Sequence, residues 1–316
     1  MNDIPVAAVP RLVVRGRTLD LAAPVLMGIV NATPDSFSDA GERPTTDERI
    51  ALAVEQAEAG AAVIDVGGQS GRTGVPEVSV DEEIARVVPV VSGIRTALPG
   101  TLLSVDTYRP AVVAAVLDAG ADVVNDVSGL AELEVARLCA AAGAGLVVMH
   151  TRVRPKLKLL DPGLYGTTAE DVVDDVVAFL GERLDAAAAV GLPAEATIVD
   201  PGPDYAKTPR QTVDVLRHLD RVRGLGRPLL LALSRKDFIG AVTGRSPRRR
   251  LGGTLAAVGQ LGGPGTILRV HDVDVVADYL AVAAVLAGRA EVHGDLTLRR
   301  DLRHEPPAGA GGPMRG

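Results

Sequence analysis

Eight times along the chain a short run of Val, Ile, Leu and Ala stops at a polar or charged residue, and a helix-like stretch follows each run. The first four are Val25–Val30 stopping at Asn31, Ala62–Val66 enclosing Asp65, Leu102–Val105 stopping at Asp106, and Val123–Val124 stopping at Asn125. The others are Leu146–Met149 stopping at His150, Thr197–Val199 at Asp200, Leu229–Leu233 at Ser234, and Ile267–Leu268 at Arg269. Continuous apolar runs suit strands buried on both faces, whereas a sheet with one wet face alternates polar and apolar residues. Eight such strands separated by helices predict an α/β fold, the (β/α)8 TIM barrel. Its chemistry sits at the carboxyl ends of the strands, so the stopping residues are candidate site residues.

A barrel of roughly 250 residues accounts for most of a chain of 316 residues, 47% of them apolar. The expected organisation is an N-terminal extension over 1–23, the barrel over 24–290 and a tail over 291–316. Within the extension, Gly16 between two short apolar pieces predicts a β-hairpin that closes the barrel bottom. Helices are expected over 47–59, 80–97, 110–119, 131–142, 169–190, 209–222, 248–261 and 274–288. Ser79 with Glu82 three residues on predicts a capping box. Gly60, Gly120, Gly143 and Gly191 stand where helix ends call for glycine. The long connections 31–46 and 151–168 follow strands and fall on the catalytic face. From Glu305 the chain is rich in Gly and Pro, and disorder is expected there.

A net charge of −7 gives no field that attracts polyanions, and 2% aromatic residues with no Trp give no base-stacking platform. Nucleic acid is therefore not an expected partner. The single cysteine, Cys139, excludes an intrachain disulfide framework, and its Ala-rich surroundings suit a buried apolar role. Neither a signal-peptide pattern nor a membrane-spanning run occurs, so a cytoplasmic protein is expected.

The segment Asn31-Ala-Thr-Pro-Asp35-Ser-Phe-Ser-Asp39 is either a capped turn or part of a site on the first catalytic-face loop. Gln69-Ser-Gly-Arg72-Thr-Gly is a Gly-rich loop that brings an Arg toward an anion, or an ordinary turn; its spacing is not that of a P-loop. Asp106, Asn125 and Asp200 each could cap a helix. Together, two carboxylates and an amide at one pocket suit a flat heterocycle with an amino-pyrimidinone edge. Ser234-Arg235-Lys236 and Arg269-Val-His271 follow strands seven and eight, the usual phosphate site of this fold. Met149-His150 reads as core packing, and Arg248–Arg250 as a solvated helix start. The run Arg152, Arg154, Lys156, Lys158 is either a lid over the pocket or a solvated loop. No spacing of His, Cys and carboxylates suggests a structural zinc, and no nucleophile elbow occurs.

Over about residues 24–290 the chain resembles the dihydropteroate synthase family. The matching blocks, in order, are Met27-Gly-Ile-Val-Asn31-Ala-Thr-Pro-Asp-Ser-Phe-Ser-Asp39, Ile64-Asp-Val-Gly-Gly68, Ser104-Val-Asp106-Thr, Asn125-Asp126-Val and Met149-His150. Asp200-Pro-Gly202, Ser234-Arg-Lys236 and Arg269-Val-His271-Asp-Val273 complete them. The resemblance implies that 4-aminobenzoate displaces pyrophosphate from 6-hydroxymethyl-7,8-dihydropterin diphosphate, and that the protein is a homodimer. Carried across by motif, Asp106, Asn125, Asp200 and Lys236 hold the pterin ring. Asn31 binds an Mg2+ carried by the diphosphate, Arg72, Arg269 and His271 contact the diphosphate, and Arg269 also lies over the ring. Asp106, Lys236, Arg269 and His271 are the catalytic candidates.

Three segments depart from the family pattern. Where the family commonly reads Glu-Ser-Thr-Arg-Pro-Gly, this chain has Gln69-Ser70-Gly71-Arg72-Thr73-Gly74. Where it reads Gly-Phe-Gly-Lys, this chain has Pro203-Asp204-Tyr205-Ala206-Lys207, with Tyr205 as the aromatic wall and Asp204 as an added negative charge. The fifth loop with its Arg/Lys run also differs. The pterin and diphosphate half of the site is thus intact by sequence, and the arylamine half is altered. Two alternatives stand beside the synthase: a pterin-binding paralogue without this activity, and a pterin-dependent methyltransferase, which has no diphosphate for Arg72, Arg269 and His271 to hold.

Overall fold

A computed structural model of the chain describes residues 11–33, 45–69, 76–157, 159–292, 294, 297 and 298. The chain divides into a unit ending at Tyr279 and a second unit beginning at Leu280. The first unit opens with the hairpin β1 (Leu12–Val14) and β2 (Arg17–Leu19), paired antiparallel around Gly16 at φ 73°. The next strands and helices are β3 (Val25–Asn31), α1 (Thr46–Glu58), β4 (Ala61–Gly67), α2 (Val80–Ala97), β5 (Leu102–Asp106), α3 (Pro110–Asp118), β6 (Val123–Asp126) and α4 (Glu134–Ala142). They continue as β7 (Gly145–Met149), α5 (Ala169–Ala189), β8 (Thr197–Asp200), α6 (Pro209–Arg217), α7 (Leu219–Arg223) and β9 (Leu229–Ala232). Last come α8 (Asp237–Thr243), α9 (Leu251–Leu261), β10 (Thr266–Val270) and α10 (Val273–Leu286), which runs into the second unit.

Strands β3 to β10 close a parallel barrel in sequence order, β10 pairing with β3. Every strand contributes one side chain to the apolar cluster of its interior: Met27, Val63, Leu102, Val123, Val147, Ile198, Leu230 and Ile267. Leu12, Val14 and Leu21 join that cluster, so the hairpin plugs the barrel bottom as its apolar positions predict. Asp122, beneath β6, anchors this end by pairing with Arg17 and Arg95, both at 2.5 Å.

Helix boundaries follow local chemistry. Thr45, Thr168 and Thr208 form reciprocal capping boxes with Glu48, Asp171 and Gln211. At Ser79 the hydroxyl accepts from Glu82 N–H, the forward half of the expected box. The helix expected over 209–222 breaks at His218, whose ring Nδ1 lies 2.8 Å from the Asp214 carbonyl while its own N–H donates to Val215. The ring thus takes the i−4 acceptor that the backbone N–H would use. The helix expected from 248 begins at 251, and α8, seven residues long, was not visible in the pattern. No helix among the described residues is long and apolar enough to cross a membrane. The Gly- and Pro-rich end from Glu305 lies outside the described residues.

Candidate active site

Strand register builds the pocket. Asn31 pairs with Gly67, Gly67 with Asp106, and Asp106 with Asn125, which sets the ends of β3 to β6 at one level. Asp65 lies two residues before Gly67, on the same side of β4 and one layer deeper. Across the barrel, β8 ends in Asp200, in register with Met149.

Arg269 of β10 reaches into this layer. Its Nε donates to Asp65 Oδ2 at 2.7 Å and its Nη2 to Asp106 Oδ2 at 3.2 Å, while Asn125 Nδ2 donates to Asp65 Oδ2 at 3.3 Å. Burial works against the guanidinium charge, but Asp65 and Asp106 outweigh it and hold Arg269 protonated. Burial pushes the Asp106 carboxyl up to about 7; the Asp65 and Glu83 charges add to this, against the pull of Arg269. Asp65 Oδ1 and Asn125 Oδ1 are buried acceptors with no hydrogen-bond partner. Buried polar atoms are rarely left so, and two orphaned acceptors suit a ligand rich in N–H groups.

The opposite wall comes from the loops after β8 and β9. Asp200 is buried, and its Oδ1 accepts from Gly202 N–H at 2.7 Å. Burial raises its pKa, against the Gly202 hydrogen bond and the Lys236 and Lys207 charges. Lys236 Nζ donates to the Pro203 carbonyl at 3.0 Å and stands 4.7 Å from the Tyr205 ring centre. Desolvation lowers its pKa, countered by Asp204 and Asp200. Asp204 is no free negative rim charge: its carboxylate accepts from Asp237 N–H at 2.5 Å and from the Thr212 hydroxyl at 3.2 Å. It caps the first turn of α8 and ties the two loops together.

His271 Nδ1 lies 3.0 Å from Ser234 Oγ. Burial, then the charges of Arg269, Arg235 and Lys236, push its pKa down to about 3, so the ring is neutral at ordinary pH. Arg235 is turned to Asp272 at 2.7 Å. Arg250 is not a solvated helix start: its Nη1 donates to the carbonyls of Arg235 and Lys236 and to Asp237 Oδ1, bracing the loop after β9.

The expected site residues Asn31, Asp106, Asn125, Asp200, Tyr205, Lys236, Arg269 and His271 thus gather at the carboxyl end of the barrel or on the loops above it. Arg72 lies outside the described residues, as do Asp35, Asp39, Gly71 and Thr73. In the fifth loop, Arg152 is paired with Asp175 at 2.6 Å and stacks on Phe179, whereas Lys156 is half-buried and faces the charges of Asp106, Glu77 and Glu83. Lys158 is outside the described residues.

Sequence reasoning gave no site role to Asp65 or Lys207. Asp65 stands inside an apolar run, and that interruption was the available signal. Lys207 is 1% exposed and touches His150, which is buried between Lys207 and Asp175 rather than packed in an apolar core. No linear pattern reports that juxtaposition. Among the described residues no cluster of His, Cys, Asp or Glu could cage a metal ion. Asn31 ends β3 at the level of Gly67, and its side-chain amide carries an oxygen of the hard kind that divalent cations take.

A parallel barrel with acceptors for an N–H-rich ring on one wall and cations on the other defines a class, the pterin-binding barrel enzymes, and residues 27–271 match the family described as "Pterin binding enzyme". The chain belongs to the dihydropteroate synthase family of pterin-binding enzymes. It is 39% identical over 266 residues to the dihydropteroate synthase of Synechocystis, covering 83% of this chain and 89% of that one. It is also 38% identical over 279 residues to "Inactive dihydropteroate synthase 2" of Mycobacterium leprae, covering 86% and 94%. The Xanthomonas albilineans dihydropteroate synthase solved with 4-aminobenzoic acid is 40% identical, with a TM-score of 0.76 over 88% of this chain and 98% of that one.

Proposed function

We propose that the chain is an active dihydropteroate synthase, condensing 6-hydroxymethyl-7,8-dihydropterin diphosphate with 4-aminobenzoate to 7,8-dihydropteroate and pyrophosphate. The observation that carries this reading is the convergence of Asp65, Asp106, Asn125 and Arg269 in one bonded layer, facing Asp200 and Lys236. Asp106, Asn125 and Asp200 take the N–H groups of the pterin edge, and Lys236 donates to its acceptors. Arg269, held charged by its carboxylates, lies over the ring and meets the diphosphate.

The C–O bond at the pterin methylene ionises because the electron-rich ring disperses positive charge, so no covalent nucleophile is required. The protein's task is to stabilise the departing pyrophosphate and to place the arylamine in line. Mg2+, when bound, neutralises diphosphate charge, with Asn31 as its protein ligand. Arg72 contributes a second guanidinium by family resemblance. His271, with Ser234 Oγ 3.0 Å from its Nδ1, supplies a ring hydrogen bond to the diphosphate. Tyr205 provides the aromatic wall beside Lys236. A homodimer and a cytoplasmic location belong to the same proposal.

The second reading is a paralogue that binds pterin without condensing it. The altered segments 69–74 and 203–207 favour it, together with the 38% identity to the inactive relative. Incubating the purified protein with both substrates and Mg2+ decides between them: mass detection of 7,8-dihydropteroate supports the synthase, and tight pterin binding with no product supports the paralogue.

A further inference from the structure

We propose that Lys207 is a positioning residue for Lys236, acting through the strained loop that lies between the two ammonium groups. The inference rests on the proposed role of Lys236 in holding the pterin ring.

Lys207 is fully enclosed at 1% exposure, and such a lysine persists only where its donors are satisfied. Its Nζ donates to the carbonyls of Gly202 at 3.0 Å and Tyr205 at 3.3 Å, and stands 2.8 Å from His150 Nδ1. Burial lowers the Lys207 pKa to about 7, but the direction of this bond is set by Asp175, a carboxylate that only accepts: the neutral ring must turn its N–H toward it and leave Nδ1 to accept from Lys207. The other ring nitrogen, Nε2, then carries the proton and donates to Asp175 Oδ2 at 2.9 Å. Arg152 completes the line with two bonds to the same carboxylate. Lys207 is thus anchored through β7 and α5, outside the loop it holds.

That loop needs holding. Gly202, Asp204 and Ala206 have φ of 65°, 67° and 50°, a left-handed conformation that residues with a Cβ avoid. Gly202 has no alternative, since a Cβ there would lie 2.1 Å from the His150 carbonyl oxygen. Local strain of this kind survives only when surrounding contacts over-determine it. Here the contacts from below are the Lys207 hydrogen bonds to the carbonyls of Gly202 and Tyr205.

On its other side the same loop meets Lys236. The Pro203 carbonyl accepts from Lys236 Nζ, the Tyr205 ring lies against that ammonium, and Asp204 accepts from the N–H of the next residue, Asp237. Gly202 N–H also bonds Asp200. Fixing two carbonyls of the loop therefore fixes where Lys236 and Asp200 present their polar atoms to the ring.

A double-mutant cycle read by calorimetric binding of 6-hydroxymethylpterin tests this, because coupling through Lys236 differs from a general loss of stability. Lys207→Met is expected to weaken binding about tenfold in the native chain, the effect of losing one charge-assisted hydrogen bond, and less than about twofold in a Lys236→Gln background. Equal losses in both backgrounds, or none in the native chain, overturn the inference. Should Lys207→Met not fold, His150→Gln and His150→Leu replace it. Gln offers an acceptor to Lys207 and a donor to Asp175, so it retains tight binding while Leu weakens it; equal affinity in the two overturns the inference. A native chain that does not bind the pterin removes the pocket reading and this inference together, whereas native binding with additive losses removes this inference alone.

Discussion

Arg269 Nε donates to Asp65 Oδ2 at 2.7 Å, joining two residues 204 positions apart over the one strand, β3, that lies between β10 and β4. Asp65 is fully buried, and it shares Arg269 with Asp106. The bond sets the guanidinium at the level of the pocket, so a buried carboxylate one layer deeper decides where the cation stands. Asp106 still faces the guanidinium once Asp65 is removed, so the cost falls below the roughly 3–5 kcal/mol of an uncompensated buried charge, to about 2 kcal/mol, that of a lost charge-assisted hydrogen bond. Asp65→Ala should therefore lower stability by about that amount in denaturant titration and also weaken pterin binding. Unchanged stability would mean that Arg269 finds another partner at no cost.

Asp200→Ala should abolish pterin binding, because it removes a buried acceptor of the ring and the partner of Gly202 N–H. Cys139→Ala should leave binding unchanged. Cys139 is buried in α4, and its thiol pKa is pushed up to about 12 by desolvation, then by Asp126, so it is neither a nucleophile nor a ligand contact. Calorimetry on the two variants compares them directly, and retained affinity in the Asp200 variant would remove the pocket assignment.

The barrel could be read from the sequence because its strands are buried on both faces, so each is a short apolar run with a polar residue inside it or close to its end, which is a linear signal. Asn31, Asp106, Asn125 and Asp200 were legible for the same reason. The α8 helix was not: it is seven residues long, and Arg250 bonds to its first residue. Nor could the sequence assign Lys207 to His150, since 57 residues separate them and only β7–β8 pairing brings them together. The Asp204 carboxylate, expected as an added charge near the arylamine, is committed to Asp237 N–H and the Thr212 hydroxyl.

Two buried histidines withdraw stability as the pH falls. Burial, then nearby cations, bring His150 and His271 down to about 3, below the unfolded value of 6.5. The folded state refuses protons that the unfolded state accepts, so this stability is complete above about 6.5 and is lost as pH falls toward 3. Each fully shifted group contributes about 1.4 kcal/mol per pH unit in that window. Asp106, raised to about 7, and Asp126, raised to about 6, both by burial above all, act in the opposite sense above about pH 4, as does buried Asp200, and offset the histidines. From pH 7 to 4 the denaturation midpoint of His271→Asn should therefore lose less, or gain more, than that of the native chain; an identical pH dependence would place the His271 proton differently.

Restoring the family's residues in the second loop, Gly71→Thr with Thr73→Pro, should raise 4-aminobenzoate turnover if that loop limits the arylamine site. The change is expected in the KM for 4-aminobenzoate, with pterin affinity unaltered. Steady-state kinetics separates the two, and a shift in pterin affinity instead would assign the loop to the other substrate.

In the proposed synthase, this pocket couples departure of pyrophosphate to attack by an arylamine. The most direct measurement of that coupling is pyrophosphate release from 6-hydroxymethyl-7,8-dihydropterin diphosphate and Mg2+, with and without 4-aminobenzoate. The account predicts release that rises with 4-aminobenzoate and matches the 7,8-dihydropteroate formed. Pterin binding without such release would contradict it.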